Sequence, residues 1–197
     1  MNKKHFDILY PILNAISPIS PELWNHAKGH FKVCHLKHGE HLFRVEEAVE
    51  DFYFLIDGLA RYYYLKENGK EFNKSFAEKP GHLLSSISAV SKGETSPFSV
   101  EVLSDFTALS ISYKDFLDLG SRHEAWNRLH LRMFENLIIK KERREADFLL
   151  LSATQRYEKF LKEYAMISNV VPNYHIASYL GITEVALSRI RKKMKLT

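Results

Sequence analysis

Val171-Pro-Asn-Tyr-His-Ile-Ala-Ser-Tyr-Leu-Gly-Ile-Thr-Glu-Val-Ala-Leu-Ser-Arg-Ile-Arg-Lys-Lys193 reads as two short helices joined by a tight turn, the second running into a basic end. Ile176, Ala177 and Leu180 share one face of the first helix, and the small Ala177 lets another helix cross close to it. Gly181 supplies the left-handed backbone that ends a helix, and Thr183 is a good N-cap for the next. Leu187 and Ile190 face inward at helical spacing, which leaves Ser188, Arg189, Arg191, Lys192 and Lys193 toward the exposed side. This is the layout of a helix-turn-helix, whose second helix enters the DNA major groove. Spacing alone leaves an ordinary helical hairpin with a solvated basic end open beside it.

The charge distribution favours a polyanion. The chain's net charge of +4 is uneven: residues 1–139 hold 16 Lys and Arg against 18 Asp and Glu, whereas residues 140–197 hold 12 against 6. Such asymmetry points to nucleic acid as the partner of the C-terminal part. At 197 residues the chain can bury a real core. No run of about 18 apolar residues occurs, so no membrane span is expected. The opening Met1-Asn-Lys-Lys-His-Phe-Asp-Ile-Leu-Tyr10 lacks a signal-peptide core and is read as the first helix. The single Cys34 excludes an internal disulfide and a cysteine-ligated iron–sulfur cluster. The expected compartment is the cytoplasm.

Working outward, Lys3–Ile16 has a helical pattern interrupted at Pro11, and Ser20-Pro21-Glu22 caps a short helix through about Ala27. From Phe31 the period becomes two. Strands are expected at Phe31–Leu36, His41–Arg44, Asp51–Ile56, Leu59–Leu65, Lys70–Phe76, Ser99–Leu103 and Thr107–Ser112. Asp57-Gly58 and Asn68-Gly69 are hairpin signals, and Pro80-Gly81 marks a turn. Short strands at this spacing predict a small antiparallel barrel or jelly roll. Helix returns at Tyr113–Leu119, ending at Gly120, and continues from about Glu124 to Leu151, roughly 40 Å of helix at 1.5 Å per residue. That length suits a dimer interface. Ser152-Ala-Thr-Gln155 fits a capping box, opening a helix through about Met166. The expected fold is α+β, with a sensor barrel and its N-terminal helices over 1–123, a connecting dimerisation helix over 124–151 and an all-α helix-turn-helix domain over 152–197.

A barrel, a long helix and a helix-turn-helix in this order resemble the Crp–Fnr family of transcription regulators. The likeness rests on Lys37-His-Gly-Glu40, on Phe52-Tyr-Phe-Leu-Ile-Asp-Gly-Leu-Ala-Arg61, on Asn68-Gly-Lys-Glu71 and above all on the opening stretch. It is especially similar to the branch common in Bacteroidetes-type bacteria. The resemblance implies a cyclic-nucleotide-binding-type jelly roll, in which a Gly-Glu pair binds the ribose and an Arg followed by Ser or Thr pairs with the cyclic phosphate. By register Ser85-Ser86 stands at the first place and Ser96-Pro97 at the second. The phosphate loses its guanidinium and the ribose its acid, so cyclic nucleotide is not expected as a ligand and no other cofactor is called for. Ser85, Ser86 and Ser96 remain candidates to line a pocket for another effector. Family members usually continue into a β-hairpin wing, but only Lys195-Leu-Thr197 follow here, so a wing is expected to be absent.

Base edges meet residues near the start of a recognition helix, here Thr183, Glu184, Val185, Ser188 and Arg189. Arg189 is the best base reader, because a guanidinium binds guanine O6 and N7 at once. Val185 stands where the family often has glutamate and suits a thymine methyl. Lys192 and Lys193, with Arg191 and Lys195, are placed for phosphates. Tyr174 and His175, at the start of the first helix, are expected to reach backbone oxygens. The expected partners are a palindromic duplex and a second copy of the chain, with RNA polymerase and a small-molecule effector as further candidates. Two alternatives stand: a sensor whose DNA domain serves protein–protein contacts, and a cupin-like metal enzyme drawing on His35, His38, Glu40 and His41. The histidine spacing speaks against the second, since strand residues three apart point to opposite faces. No catalytic motif appears, and no enzyme activity is expected.

Overall fold

The computed structural model describes residues 3–196; Met1, Asn2 and Thr197, parts of the opening segment and of the tail, lie outside the described residues. Helix α1 (Lys3–Ile16) runs unbroken through Pro11. The expected interruption does not occur, because Pro11 and Asp7, the residue that loses its hydrogen bond, both face solvent while Leu9 and Leu13 are fully buried. Helix α2 (Pro21–Ala27) starts at Ser20, whose side chain accepts from the Leu23 amide.

Eight strands follow: β1 (Lys32–Leu36), β2 (His41–Phe43), β3 (Asp51–Asp57), β4 (Ala60–Leu65), β5 (Glu71–Ala77), β6 (Leu83–Leu84), β7 (Ser99–Val102) and β8 (Phe106–Ser112). They form two antiparallel sheets, ordered β1-β8-β3-β6 and β2-β7-β4-β5, which face each other as a jelly roll. The Asn68-Gly69 hairpin joins β4 to β5 as expected. Asp57-Gly58 does not make a hairpin: β3 and β4 belong to different sheets. Gly58, at φ 108°, carries the chain across, and a Cβ there would stand 2.5 Å from the Asp105 carbonyl oxygen. The glycine answers a close backbone approach rather than a two-residue turn.

Helix α3 (Ile87–Lys92) was not evident in the sequence pattern. Helix α4 (Tyr113–Arg122) does not end at Gly120, which sits inside it near the Asn127 backbone of the next helix. Helix α5 (Glu124–Leu150) matches the expected long helix. Helix α6 (Ala153–Glu163) opens on the full Ser152–Gln155 capping box. It stops short of Met166 because Tyr164 leaves the helical conformation and turns, with Ile167, into a core. Helices α7 (Asn173–Leu180) and α8 (Glu184–Lys193) complete the chain.

The core has three parts. Leu9, Trp24, Phe52, Phe54, Phe116 and Trp126 join the N-terminal helices to one sheet and to α4 and α5. Phe43, Tyr62, Leu84, Phe98, Val100 and Val102 fill the barrel. The third part joins Leu59 and Phe76 of the barrel to Tyr157, Phe160, Ile176, Ala177, Leu180 and Leu187 of α6, α7 and α8. The helix-turn-helix thus packs on the barrel as well as on itself.

Candidate nucleic-acid interface and sensor barrel

The turn between α7 and α8 is over-determined. Gly181 adopts φ 69°, and the Ile182 amide bonds back to the Ala177 carbonyl. A Cβ on Gly181 would lie 2.9 Å from the Phe148 ring of α5. Arg144 donates to the Tyr179 carbonyl at 3.0 Å and stacks on the Tyr179 ring, while Arg156 donates to the Leu180 carbonyl at 3.3 Å. Two cations therefore satisfy the end of α7, where the helix dipole favours them. Thr183 caps α8 through the Ala186 amide. Leu187 is fully buried and Ile190 packs partly against the same core.

This anchoring leaves one face of α8 free. Thr183, Glu184, Val185, Ser188, Arg189, Lys192 and Lys193 are all exposed, Val185 at 61%. An open groove of about 310 Å³ runs between the starts of the two helices, lined by Asn173, Glu184, Val185, Ser188 and Arg191. Arg191 is tied to Asn173 Oδ1 at 3.1 Å and to the Leu196 carbonyl. Tyr174 is 51% exposed beside the groove's Asn173.

His175 does not join this face. It is buried against the barrel, where its Nδ1 accepts from Asn73 Nδ2 at 3.1 Å and its carbonyl accepts from the same amide at 2.9 Å. Burial, then the Arg61 charge, push its pKa down to about 4. The expectation that it reaches DNA backbone oxygens is corrected: α7 turns this side chain inward to satisfy Asn73. Ser178 continues the contact, accepting from the Asn73 backbone N–H and donating to the Glu71 carbonyl. Behind Asn73 lies Arg61, 4% exposed, which donates to Asn73 Oδ1 and pairs with Glu71 and Glu101 at 2.6 and 2.5 Å. Asn73, Arg144 and Arg156 were not singled out in the sequence. Their partners lie 102, 35 and 24 residues away, beyond any local pattern.

In the barrel, Ser85 Oγ donates to the Asp51 carbonyl and Ser96 Oγ donates to the Phe98 carbonyl, so both serve the chain's own loops. Ser86 is fully buried and its Oγ has no partner among the described residues. Arg61, the buried guanidinium of this barrel among the described residues, is engaged by Glu71, Asn73 and Glu101. A cyclic nucleotide would find neither a free guanidinium nor an acid at the two cassette positions. The histidines of the His35–His41 stretch are divided between sheets: His35 bonds Thr107 and His41 bonds Tyr63. Among the described residues no group of His, Cys, Asp and Glu is placed to hold a metal ion. Burial, with Asp51 and Glu40 nearby, pushes the Cys34 thiol up. None of the described helices is long and apolar enough to cross a membrane.

Residues 33–123, from β1 to the end of α4, match the cyclic nucleotide-binding domain family. No curated protein matches the sequence. Among solved structures, FixK2 of Bradyrhizobium japonicum superposes with a TM-score of 0.71 at 18% identity, over 84% of each chain. The c-di-GMP responsive global regulator CLP of Xanthomonas campestris gives 0.70 at 13% identity, covering 89% of this chain and 92% of that one. The catabolite activator protein of Thermus thermophilus gives 0.57 at 17% identity, over 90% and 84%. The chain therefore has the α+β fold of these three proteins, and its residues 33–123 belong to the cyclic nucleotide-binding domain family.

Proposed function

We propose that the chain is a homodimeric DNA-binding transcription regulator, without catalytic activity, that reads a palindromic site through α8. In this reading residues 1–123 form the sensor, 124–151 the connecting and dimerising helix and 152–197 the DNA-binding unit. The carrying observation is the free face of α8: Thr183, Ser188 and Arg189 stand exposed at the start of a helix whose opposite side is buried on Leu187. Arg189 reads guanine, Val185 meets a thymine methyl, and Lys192 and Lys193 hold phosphates. Tyr174 lies on the same side for a backbone contact. Leu131, Ile138 and Leu149 are 56, 54 and 77% exposed. At 100° per residue they fall on one line of α5, which suits burial against a second copy. Two of the proteins that share the fold are a global regulator and a catabolite activator protein, which supports the reading. The effector is a molecule other than a cyclic nucleotide, because Ser85 and Ser96 bond to the chain itself and neither a guanidinium nor a carboxylate stands at the cassette positions. RNA polymerase and a cytoplasmic setting complete it.

Selection of duplexes from a fragmented genome by the purified chain tests this. Enrichment of a two-fold symmetric motif, with half-sites about 10 base pairs apart, is the expected result. Failure to enrich any sequence, with the protein folded, sinks the proposal and leaves a protein-contact role for α7 and α8.

A further inference from the structure

Three aromatic rings close around a lysine at the barrel core. The Lys74 ammonium stands 3.5 Å from the centre of the Phe98 ring and 5.6 and 5.8 Å from those of Tyr62 and Tyr64. The two tyrosine rings are inclined at 54 and 81° to Phe98, so the three form walls rather than a stack. The walls are held in place. Tyr62 donates its hydroxyl to the Leu83 carbonyl at 3.0 Å, and the Ser96 hydroxyl bridges the amide and the carbonyl of Phe98. Tyr62 and Phe98 are buried, whereas Tyr64, 43% exposed, opens the cage to solvent. Lys74 enters from a β-bulge. Tyr62 pairs with Ser75 and Tyr63 with Asn73, which leaves Lys74 without a partner in the β4–β5 register and re-aims its side chain.

The cage suits a cation, and a lysine fills it imperfectly. What the described residues offer Lys74 Nζ is these ring faces, with no carboxylate and no hydrogen-bond acceptor among them. A primary ammonium carries N–H donors, and donors withdrawn from water without an acceptor are costly. A quaternary ammonium is drawn to ring faces by the same attraction and has no N–H to satisfy. Exchange of one for the other breaks no ion pair and no hydrogen bond, and it returns the Lys74 ammonium to water. From the fixed walls, the open side at Tyr64 and the absence of acceptors, we propose that Tyr62, Tyr64 and Phe98 form a binding site for a small quaternary ammonium compound, with Lys74 as the internal occupant that the ligand displaces. The next residue, Asn73, holds His175 and Ser178 of α7. Displacement of Lys74 thus acts one peptide bond from the contact that seats the helix-turn-helix, as an effector must. This last link rests on the proposed function; the binding does not.

The full chain is titrated calorimetrically with choline and, separately, with 3,3-dimethylbutan-1-ol, which has the same shape without the charge. Choline is expected to bind the wild-type chain about tenfold more tightly than the neutral alcohol, the difference a cation over aromatic faces makes. Lys74→Ala, with an unchanged circular dichroism spectrum, tightens choline binding severalfold because the competing ammonium is gone. Tyr64→Leu, a change at an exposed wall, weakens it severalfold. Equal binding of choline and the alcohol overturns the site, since the rings are then only an apolar hollow. Choline binding by Lys74→Ala alone, or by neither folded chain, also overturns it, because the lysine is then a fixed part of the core. Choline binding without any change in affinity for a selected duplex overturns the coupling and leaves the site standing.

Discussion

His175 has neighbours in sequence that suggest one role and neighbours in space that give it another. It stands beside Tyr174 at the start of the helix-turn-helix, yet it faces Asn73. Accepting at Nδ1 requires the neutral ring with its proton on Nε2, and protonation at Nδ1 would break that bond. The ring's pKa falls from 6.5 to about 4 on folding, through burial first and the Arg61 charge second. The unfolded chain therefore binds the proton earlier. The stability held by this neutral histidine is present above about pH 6.5 and is lost as pH falls through 4. His82, buried near Lys140 and Lys79, is also lowered to about 4 and acts in the same window. His175→Gln should flatten the fall in melting temperature between these limits without removing it. An unaltered pH profile would show that the Asn73–His175 bond does not hold the two halves together. The exposed face of α8 was legible because caps, glycine and apolar spacing are local signals. Asn73, Arg61 and Arg144 were not, because each gains its role only when β5, α5 and α7 meet.

At the level of elements, local chemistry decided most boundaries. The Ser152–Gln155 capping box is realised in both directions, with Ser152 Oγ accepting from the Gln155 amide and Gln155 Oε1 accepting from the Ser152 amide. Ser152→Ala should cost about 1 kcal/mol in urea unfolding. Gly181→Ala should cost more, about 1–2 kcal/mol, because φ 69° strains an L-residue and the new methyl meets the Phe148 ring. A neutral outcome would mean that Phe148 yields freely, and that the α7–α8 turn is not set by the end of α5. Where tertiary demands outweighed local ones, the pattern misled. Asp57-Gly58 has the composition of a hairpin, but the two strands it joins part into different sheets around the Asp105 carbonyl. Helix α3 leaves no periodic signal in the sequence, because its six residues are too few for a helical period to declare itself.

For the molecule as a whole, the long helix is the element with most unused surface. Leu131, Ile138, Ile139, Leu149 and Leu150 are 42–79% exposed along α5. A second copy of the chain packed along this helix would cover them and set two α8 helices for a symmetric duplex. Ile138→Glu should shift sedimentation from dimer to monomer without unfolding the barrel, since Ile138 has no part in the described core clusters. A monomeric wild-type chain at micromolar concentration would count against the two-fold arrangement.

The most direct measurement is equilibrium binding of a fluorescent duplex carrying the selected site, against a scrambled duplex, at two salt concentrations. A regulator that reads DNA through α8 binds the selected duplex more tightly and loses affinity steeply with salt as phosphate contacts release counterions. Arg189→Ala should cost about 1–3 kcal/mol on the selected site and far less on the scrambled one. Equal affinity for both duplexes, or an Arg189→Ala chain that binds as the wild type does, would contradict it.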